Sequence, residues 1–348
     1  MTELSSRFFW KCLNKMVNLA AKSLQLISIM ADGRFYSGAA LGEKLGITRG
    51  AVWKLLKPLQ TLDLEIHAVR GKGYQLSVAL ELLDGQYILD NLSSASRANV
   101  SKVDVLSLVD STNEYLKRQS PKKSGQLCLA EFQSHGKGRR GRNWVSPFGA
   151  NLYLSMTWRF NKGIAAINGL SAAVALCLLD ALEQAGFKQI ALKWPNDLFW
   201  DKRKLGGVLI EISGEVADSC CVIIGIGINV RMPAAAWNNI DQPAVDLATL
   251  VRGDNISRNQ LAVRIINQLV KGLILFDQQG FTPFYPLWLS RDILRDQPVV
   301  VENAGVLIQG IARGIDQNGA LLIDTTQGRH KVLSGDVSIR PVSHDTVC

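Results

Sequence analysis

The chain has 348 residues, 47% of them apolar and 20% charged, with a net charge of +9; that balance fits a folded protein of about two or three domains and excludes a disordered or fibrous one. No apolar run approaches the roughly 20 residues that a bilayer span requires, and Phe8-Phe9-Trp10, bounded by Arg7 and Lys11, is no signal-peptide core. The six cysteines, Cys12, Cys128, Cys177, Cys220, Cys221 and Cys348, show neither a CxxC pair nor metal spacing, so the expected setting is reducing and cytoplasmic, with no membrane partner.

Two-thirds of the excess positive charge lies in residues 1–75, which hold eleven Lys/Arg against five Asp/Glu. A nucleic-acid partner is therefore expected at this end. Residues 1–15 read as a tail, with Met16 as an alternative start. From Met16 to Met30, apolar Val17, Ala20, Ala21, Leu24, Ile27 and Met30 recur at a helical period. A shorter helix is expected over Gly38–Leu45, then a turn at Gly46-Ile47. Thr48 caps a further helix from Arg49. This succession is a helix-turn-helix, its second helix carrying the candidate DNA contacts Arg49, Trp53 and Lys54. Strand-like Glu65–Val69 and Tyr74–Ser77 flank the turn Arg70-Gly71-Lys72-Gly73, a wing that adds Arg70 and Lys72. Pro58 costs about 3 kcal/mol inside a helix, so helix 49–57 is expected to end or bend before it. The DNA-binding domain is thus set at residues 16–80.

Residues 81–101 are expected as a linker, with a short helix over 81–92 and a small-residue run from Ser93 to Ser101. A mixed α/β domain follows over 102–292. Its expected strands are 103–108, 126–132, 151–159, 189–193, 197–200, 205–213 and 219–230, and its expected helices 112–119, 168–185 and 257–277. Residues 293–341 hold short β-rich runs broken by turns at Asn303-Ala304-Gly305, Asp316–Gly319 and Gln327-Gly328, the pattern of a small antiparallel barrel; 342–348 are a tail.

The most informative stretch is Gln133 to Arg142, Gln-Ser-His-Gly-Lys-Gly-Arg-Arg-Gly-Arg. Four cations stand among three glycines with no carboxylate. Glycines admit close backbone approach, and cations with bare amides favour anionic oxygens, phosphates above all. By composition alone the run could be a basic nucleic-acid patch. Against that, it follows strand-like Leu127–Phe132 and precedes Trp144–Gly149, which reads as a packed turn. The spacing Gly136-x-Gly138-x-x-Gly141 matches the dinucleotide fingerprint, but that fingerprint needs a helix next, and Asn143 to Pro147 is extended.

Four further segments carry polar residues that folding alone does not require: Asp110-Ser111-Thr112-Asn113 at a helix start, Lys193-Trp194-Pro195-Asn196-Asp197, Lys202-Arg203-Lys204-Leu205-Gly206-Gly207 leading into Val208–Glu211, and Ile224-Gly225-Ile226-Gly227-Ile228-Asn229. Two glycines weaken a strand unless a ligand or another backbone passes close by.

In this order the motifs resemble those of the biotin–protein ligases, and the helix-turn-helix makes the likeness strongest to the bifunctional ligases that also repress the biotin operon. It spans residues 16–341. The resemblance implies an α+β multidomain fold: an N-terminal winged helix-turn-helix, a class II synthetase-like central domain and an SH3-like C-terminal barrel. It implies a reaction of biotin with ATP and Mg²⁺ to biotinyl-5′-adenylate, then transfer to a lysine of the biotin carboxyl carrier protein of acetyl-CoA carboxylase. The adenylate would be corepressor, and the adenylate-bound homodimer would bind operator DNA.

Carried over by motif, Ser111, Thr112, Asn113 and Gln133 would hold the biotin ureido ring. Gly136, Lys137, Gly138 and Arg139 would close over its carboxylate and the adenylate phosphate, while Leu209, Gly225 and Gly227 wall the biotin pocket. Lys204 would contact the reacting carboxyl–phosphate region, making Lys204, Arg139 and Lys193 the catalytic set. The nucleotide would fall to Arg139, Arg142, Asn196, Asn229 and Trp237, and Mg²⁺ to Asp197.

The residue chemistry agrees. A carboxylate attacking an α-phosphate brings two anions together, so cations must offset the developing charge, and no Ser/His/Asp set is needed. The sequence departs from the family pattern at Lys137, where arginine is usual, and at Pro58. A second reading keeps the ligase and leaves the DNA-binding module vestigial. A third, a ligand-sensing transcription factor without catalysis, sits badly with intact Lys204, Lys193 and Asp197. Lipoate ligase motifs are absent.

Overall fold

The computed structural model describes residues 21–341 apart from 121–122, 217–218, 252–255, 304–305 and 334–336. The expected tails at 1–15 and 342–348, the first residues of the helix from Met16, and most of the turn at Asn303-Ala304-Gly305 lie outside the described residues.

Helix α1 (21–30) buries Leu26, Ile27 and Met30. Ser37 caps α2 (Gly38–Leu45) by accepting from the Ala40 amide, and Gly46, at φ 61°, ends it in the left-handed region. Thr48 then caps α3 (Arg49–Leu56) by accepting from the Ala51 amide at 3.2 Å. Helix α3 stops at Leu56, and Lys57–Leu62 continues as a 3₁₀ turn through Pro58. Strands β1 (Ile66–Val69) and β2 (Gly73–Leu76) pair antiparallel, with Arg70, Gly71 and Lys72 at the tip. Tyr36 bridges to Tyr74 and ties the wing to the helices.

Residues 81–101 depart from the linker expectation. Asp84 caps α4 (Gly85–Asp90) and Ser93 caps α5 (Ser94–Asn99). Small polar residues read as linker composition, yet Ser93 and Asp84 serve as caps, and distant asparagines satisfy the backbone: Asn259 Oδ1 accepts from the Asp84 amide at 2.8 Å and Asn267 Oδ1 from the Ser93 amide at 3.0 Å. Below them, Glu131 and Arg258 form a buried ion pair at 2.8 Å, and Glu131 also accepts from the Leu83 amide. Losing one partner of such a pair costs about 3–5 kcal/mol.

The central sheet gathers β3 (Lys102–Leu106), β4 (Gln126–Ala130), β5 (Leu152–Phe160), β6 (Ala191–Lys193), β7 (Asp197–Trp200), β8 (Arg203–Val216) and β9 (Ser219–Ile228) in the order β3-β4-β5-β9-β8-β7-β6. Only the β3–β4 pair is parallel. Helix α6 (Thr112–Arg118) covers one face through Leu116, which clusters with Cys128 and Ile223. The opposite face carries α7 (Leu170–Gln184) and, after the short α8 (Leu247–Leu250), α9 (Arg258–Gln279); their Leu, Ile, Val and Phe side chains form the main core. Helix α10 (Tyr285–Arg291) leads to β10 (Pro298–Asn303), β11 (Val306–Ile315), β12 (Leu321–Thr325), β13 (Gly328–Val332) and β14 (Val337–Pro341). These form a five-stranded antiparallel sheet, β13-β12-β11-β10-β14. Val299, Val301, Leu321 and Ile323 from this sheet share the main core, and the Trp194 indole donates to the Gly319 carbonyl at 2.8 Å.

The N-terminal module is joined to the sheet by more than its linker. Phe148, 3% exposed, packs in the module's own core with Leu62 and Leu80, and its amide donates to the Leu62 carbonyl at 3.1 Å.

Candidate functional site

Strand register builds the floor of the site. On the α6 face, cross-strand neighbours align in adjacent rows: Tyr153, Gly227 and Gly207; Ser155, Gly225 and Leu209; Thr157, Ile223 and Glu211. Side chains alternate along a strand, so these residues share one face. The two glycines of β9 clear space for neighbours rather than for backbone alone. A Cβ on Gly227 would lie 2.5 Å from the Trp144 indole, and one on Gly225 would run into the Asn113 side chain.

Above this floor lies a cavity of about 360 Å³. One end is polar and uncharged. Gln133 Oε1 accepts from the Thr112 amide (2.9 Å) and hydroxyl (3.2 Å), and its Nε2 donates to Ser146 Oγ at 3.1 Å. The Ser155 hydroxyl lies 2.7 Å from Thr112 Oγ1 and 2.6 Å from Asn113 Oδ1. These side chains are fixed by one another before any ligand arrives, which lowers the ordering cost of binding.

The rest of the wall is strongly cationic. Lys137, Arg139, Arg140, Arg142, Lys193 and Lys204 line the wall against Asp197 and Asp241. Lys204 Nζ stands 2.9 Å from Asp197 Oδ1 and 5.6 Å from the centre of the Trp144 ring. Arg139 donates to Asn196 Oδ1 at 3.3 Å, and Asn196 Nδ2 donates to the Val208 carbonyl. Burial holds the Lys193 ammonium below the usual lysine range; Asp197 works against that, and Lys204 and Arg142 add to it. The basic loop crosses the mouth with Arg140 (φ 58°) and Gly141 (φ 71°) both in the left-handed region. A non-glycine residue there carries strain, a recurrent property of ligand-clamping loops.

Ser111, Thr112, Asn113, Gln133, Lys137, Gly138, Arg139, Arg142, Lys193, Asn196, Asp197, Lys204, Leu209, Gly225 and Gly227 all line this one cavity. Three residues assigned from sequence stand off its wall. Gly136 is packed under Trp144, which donates its amide to the Gly136 carbonyl. Asn229 is buried and turns its amide to the Val245 carbonyl at 3.1 Å. Trp237 sits half-buried in the 3₁₀ turn Ala234–Asn239, whose end residue Asn239 reaches the wall instead. Sequence reasoning missed Trp144, which it took for packing, although an indole directly after an anion-binding loop was the signal. It also missed Asp241 and Gln242, which no motif marks.

Of the candidate DNA contacts, Trp53 is 57% exposed on α3, a conspicuous exposure for tryptophan, and Arg49, Lys54, Arg70 and Lys72 are also exposed.

A three-layered enzyme with a cation-lined pocket over a glycine-bearing sheet and an attached winged helix is the class this architecture defines. Residues 105–229 match the biotin/lipoate A/B protein ligase family, 296–340 the biotin protein ligase C-terminal domain and 22–75 an HTH domain. The chain is 41% identical over 318 residues to the bifunctional ligase/repressor BirA of Salmonella typhimurium, covering 91% of this chain and 97% of that protein, and 40% identical to its Escherichia coli counterpart over the same shares. A solved biotin protein ligase from Aquifex aeolicus, in complex with biotin and ATP, superposes with a TM-score of 0.60 at 29% identity over 70% of this chain and all of that one. The chain belongs to the bifunctional ligase/repressor family of biotin protein ligases.

Proposed function

We propose that the protein joins biotin to ATP, giving biotinyl-5′-adenylate and pyrophosphate, passes the biotinyl group to a lysine of the biotin carboxyl carrier protein of acetyl-CoA carboxylase, and represses the biotin operon with the adenylate as corepressor. The observation that carries this reading is a single cavity lined both by a neutral, hydrogen-bonded set, Thr112, Asn113 and Gln133, and by six cations.

Biotin's ureido ring takes the neutral end, against Ser111, Thr112, Asn113 and Gln133, and its apolar rings lie over Leu209, Gly225 and Gly227. That directs the carboxylate toward Lys204. The carboxylate oxygen attacks the α-phosphate and pyrophosphate leaves; Lys204, Arg139 and Lys193 offset charge that grows in the transition state. Arg142 and Asn196 serve the nucleotide. Mg²⁺ commonly takes one or two carboxylates plus substrate phosphates, and Asp197, close to both Lys193 and Lys204, fits that mode; when bound, the ion supplies further charge neutralisation at the phosphates. The loop at 136–142 keeps water from the adenylate until the carrier's lysine amine attacks the acyl carbon and AMP departs.

At the other end, Arg49, Trp53 and Lys54 enter the major groove and Arg70 and Lys72 hold the flanking backbone. Ordering of 136–142 and of Arg231–Trp237 over the adenylate completes a homodimer surface, which sets two winged modules on a two-fold operator. Among the described residues no helix is long and apolar enough to cross a membrane, in keeping with a cytoplasmic protein.

The test combines biotin, ATP, Mg²⁺ and a carrier domain, read by mass, with operator gel shift and sedimentation in the presence and absence of biotin and ATP. An unmodified carrier removes the ligase. A modified carrier with an unchanged monomer and sequence-blind DNA binding leaves a ligase without repression.

A further inference from the structure

Five side chains form one hydrogen-bonded chain from the basic loop to the cavity floor. Lys137 Nζ donates to Glu114 Oε1 at 2.7 Å, and the same oxygen accepts from Lys117 Nζ at 2.9 Å. Lys117 also donates to Glu211 Oε1 at 2.6 Å, and the other Glu211 oxygen accepts from Asn113 Nδ2 at 2.7 Å. The two ends, Lys137 and Asn113, line the cavity; Glu114, Lys117 and Glu211 stand behind it.

We propose that Glu114 is a positioning residue for the ligase reaction, latching the 136–142 loop onto α6 through Lys137 and tying that latch, through Lys117 and Glu211, to the amide of Asn113. This rests on the cavity being the biotinyl-adenylate site.

Three physical points carry it. An ammonium has three donors, so Lys137 can meet a ligand oxygen without leaving Glu114; the latch persists in the loaded state. Glu211, bound by the Lys117 ammonium on one oxygen, accepts from Asn113 Nδ2 on the other, which leaves Asn113 Oδ1 toward Ser155. Two ammonium groups alternate with two carboxylates, and Lys137 and Lys117 hold the Glu114 carboxyl below the usual range. Neutralising Glu114 leaves two cations facing each other and releases the Lys137 side chain. The loop backbone there is held separately, by the Trp144 amide on the Gly136 carbonyl, the Gly138 amide on the Arg142 carbonyl and the Lys137–Asn143 bridge, so Glu114 acts on the Lys137 side chain.

The experiment is a double-mutant cycle on the full-length protein, reading the release rate of radiolabelled biotinyl-adenylate made in place from biotin and ATP. Glu114→Gln and Lys137→Gln should each speed release about three- to fivefold, as expected of a partly exposed ion pair. The double variant should be no faster than the faster single, and Lys137→Arg should keep slow release. Glu114→Gln should leave kcat for adenylation and Tm close to the parent's. Additive effects, or Lys137→Gln accelerating release while Glu114→Gln does not, would overturn the latch. Failure of the underlying site appears separately, as wild-type pyrophosphate release from Lys204→Ala.

Discussion

Lys204 reaches diagonally across the β7–β8 pair to Asp197 at 2.9 Å, both side chains partly buried on the cavity wall. The pair keeps the lysine aimed while no ligand is present. Replacing Lys204 by Ala should lower pyrophosphate release at saturating biotin by about 10²–10³-fold, the usual effect of removing one preorganised electrostatic donor. Tm should move little, because the side chain is not in the core. Release at the parent rate rules out a catalytic role.

Arg139 bonds Asn196 from the far side of the loop. Arg139→Gly should let the adenylate escape about ten times faster or more, since hydrogen bonds to charged groups contribute about 1.5–3 kcal/mol. Escaped adenylate acylates bystander lysines. Mass spectrometry of a mixture of carrier domain and an unrelated protein reads this directly; labelling confined to the carrier reassigns the arginine.

Gly227→Ala puts a methyl into the Trp144 ring at 2.5 Å, and the ring must give way into the cavity. Biotin affinity by calorimetry should fall at least about tenfold, with the sheet intact by circular dichroism. Unchanged affinity means that Trp144 does not border the biotin site.

Much of this was legible beforehand, for local reasons. Thr48 is a cap read directly from residue type, and α3 ends at Leu56 because Pro58 forbids continuation. The motifs lie on strands whose alternation sends Leu209, Gly225 and Gly227 to one face. What escaped depends on tertiary pairing. Glu211 meets Asn113 across 98 residues of chain, and Ser93–Ser101 looks like a linker until Asn267 of α9 takes up its backbone amide. Asn229 follows the second strand glycine as a ligand residue would, yet its amide closes a backbone contact to Val245.

Asp292, where β6 meets the C-terminal sheet, gives a pH signature. Burial pushes its carboxyl up to about 6, with the Leu294 amide bond working against that. Its charged form is disfavoured by folding, so stability falls as pH rises from near 4 through about 6 and then levels off. Asp292→Asn, which keeps the oxygen that accepts from Leu294, should gain about 1–3 kcal/mol on the parent between pH 4 and pH 8 in urea melts. Parallel curves across that range refute the assignment.

Arg70 and Lys72 cap the wing beyond the helices. Replacing both by Ala should weaken operator and random DNA alike and reduce the salt slope of binding by about two, the mark of lost phosphate contacts. Trp53→Ala should instead narrow the gap between operator and random DNA. If the two variants behave the same, α3 does not read bases.

Phe148 belongs by sequence to the stretch that ends the basic loop and by packing to the winged module. A truncation that discards the module would pull the lid off an aromatic plug, stranding Phe148, Leu108 and Phe132 in water and leaving the Phe148 amide without its acceptor. The ligase half would then be sticky as well as smaller.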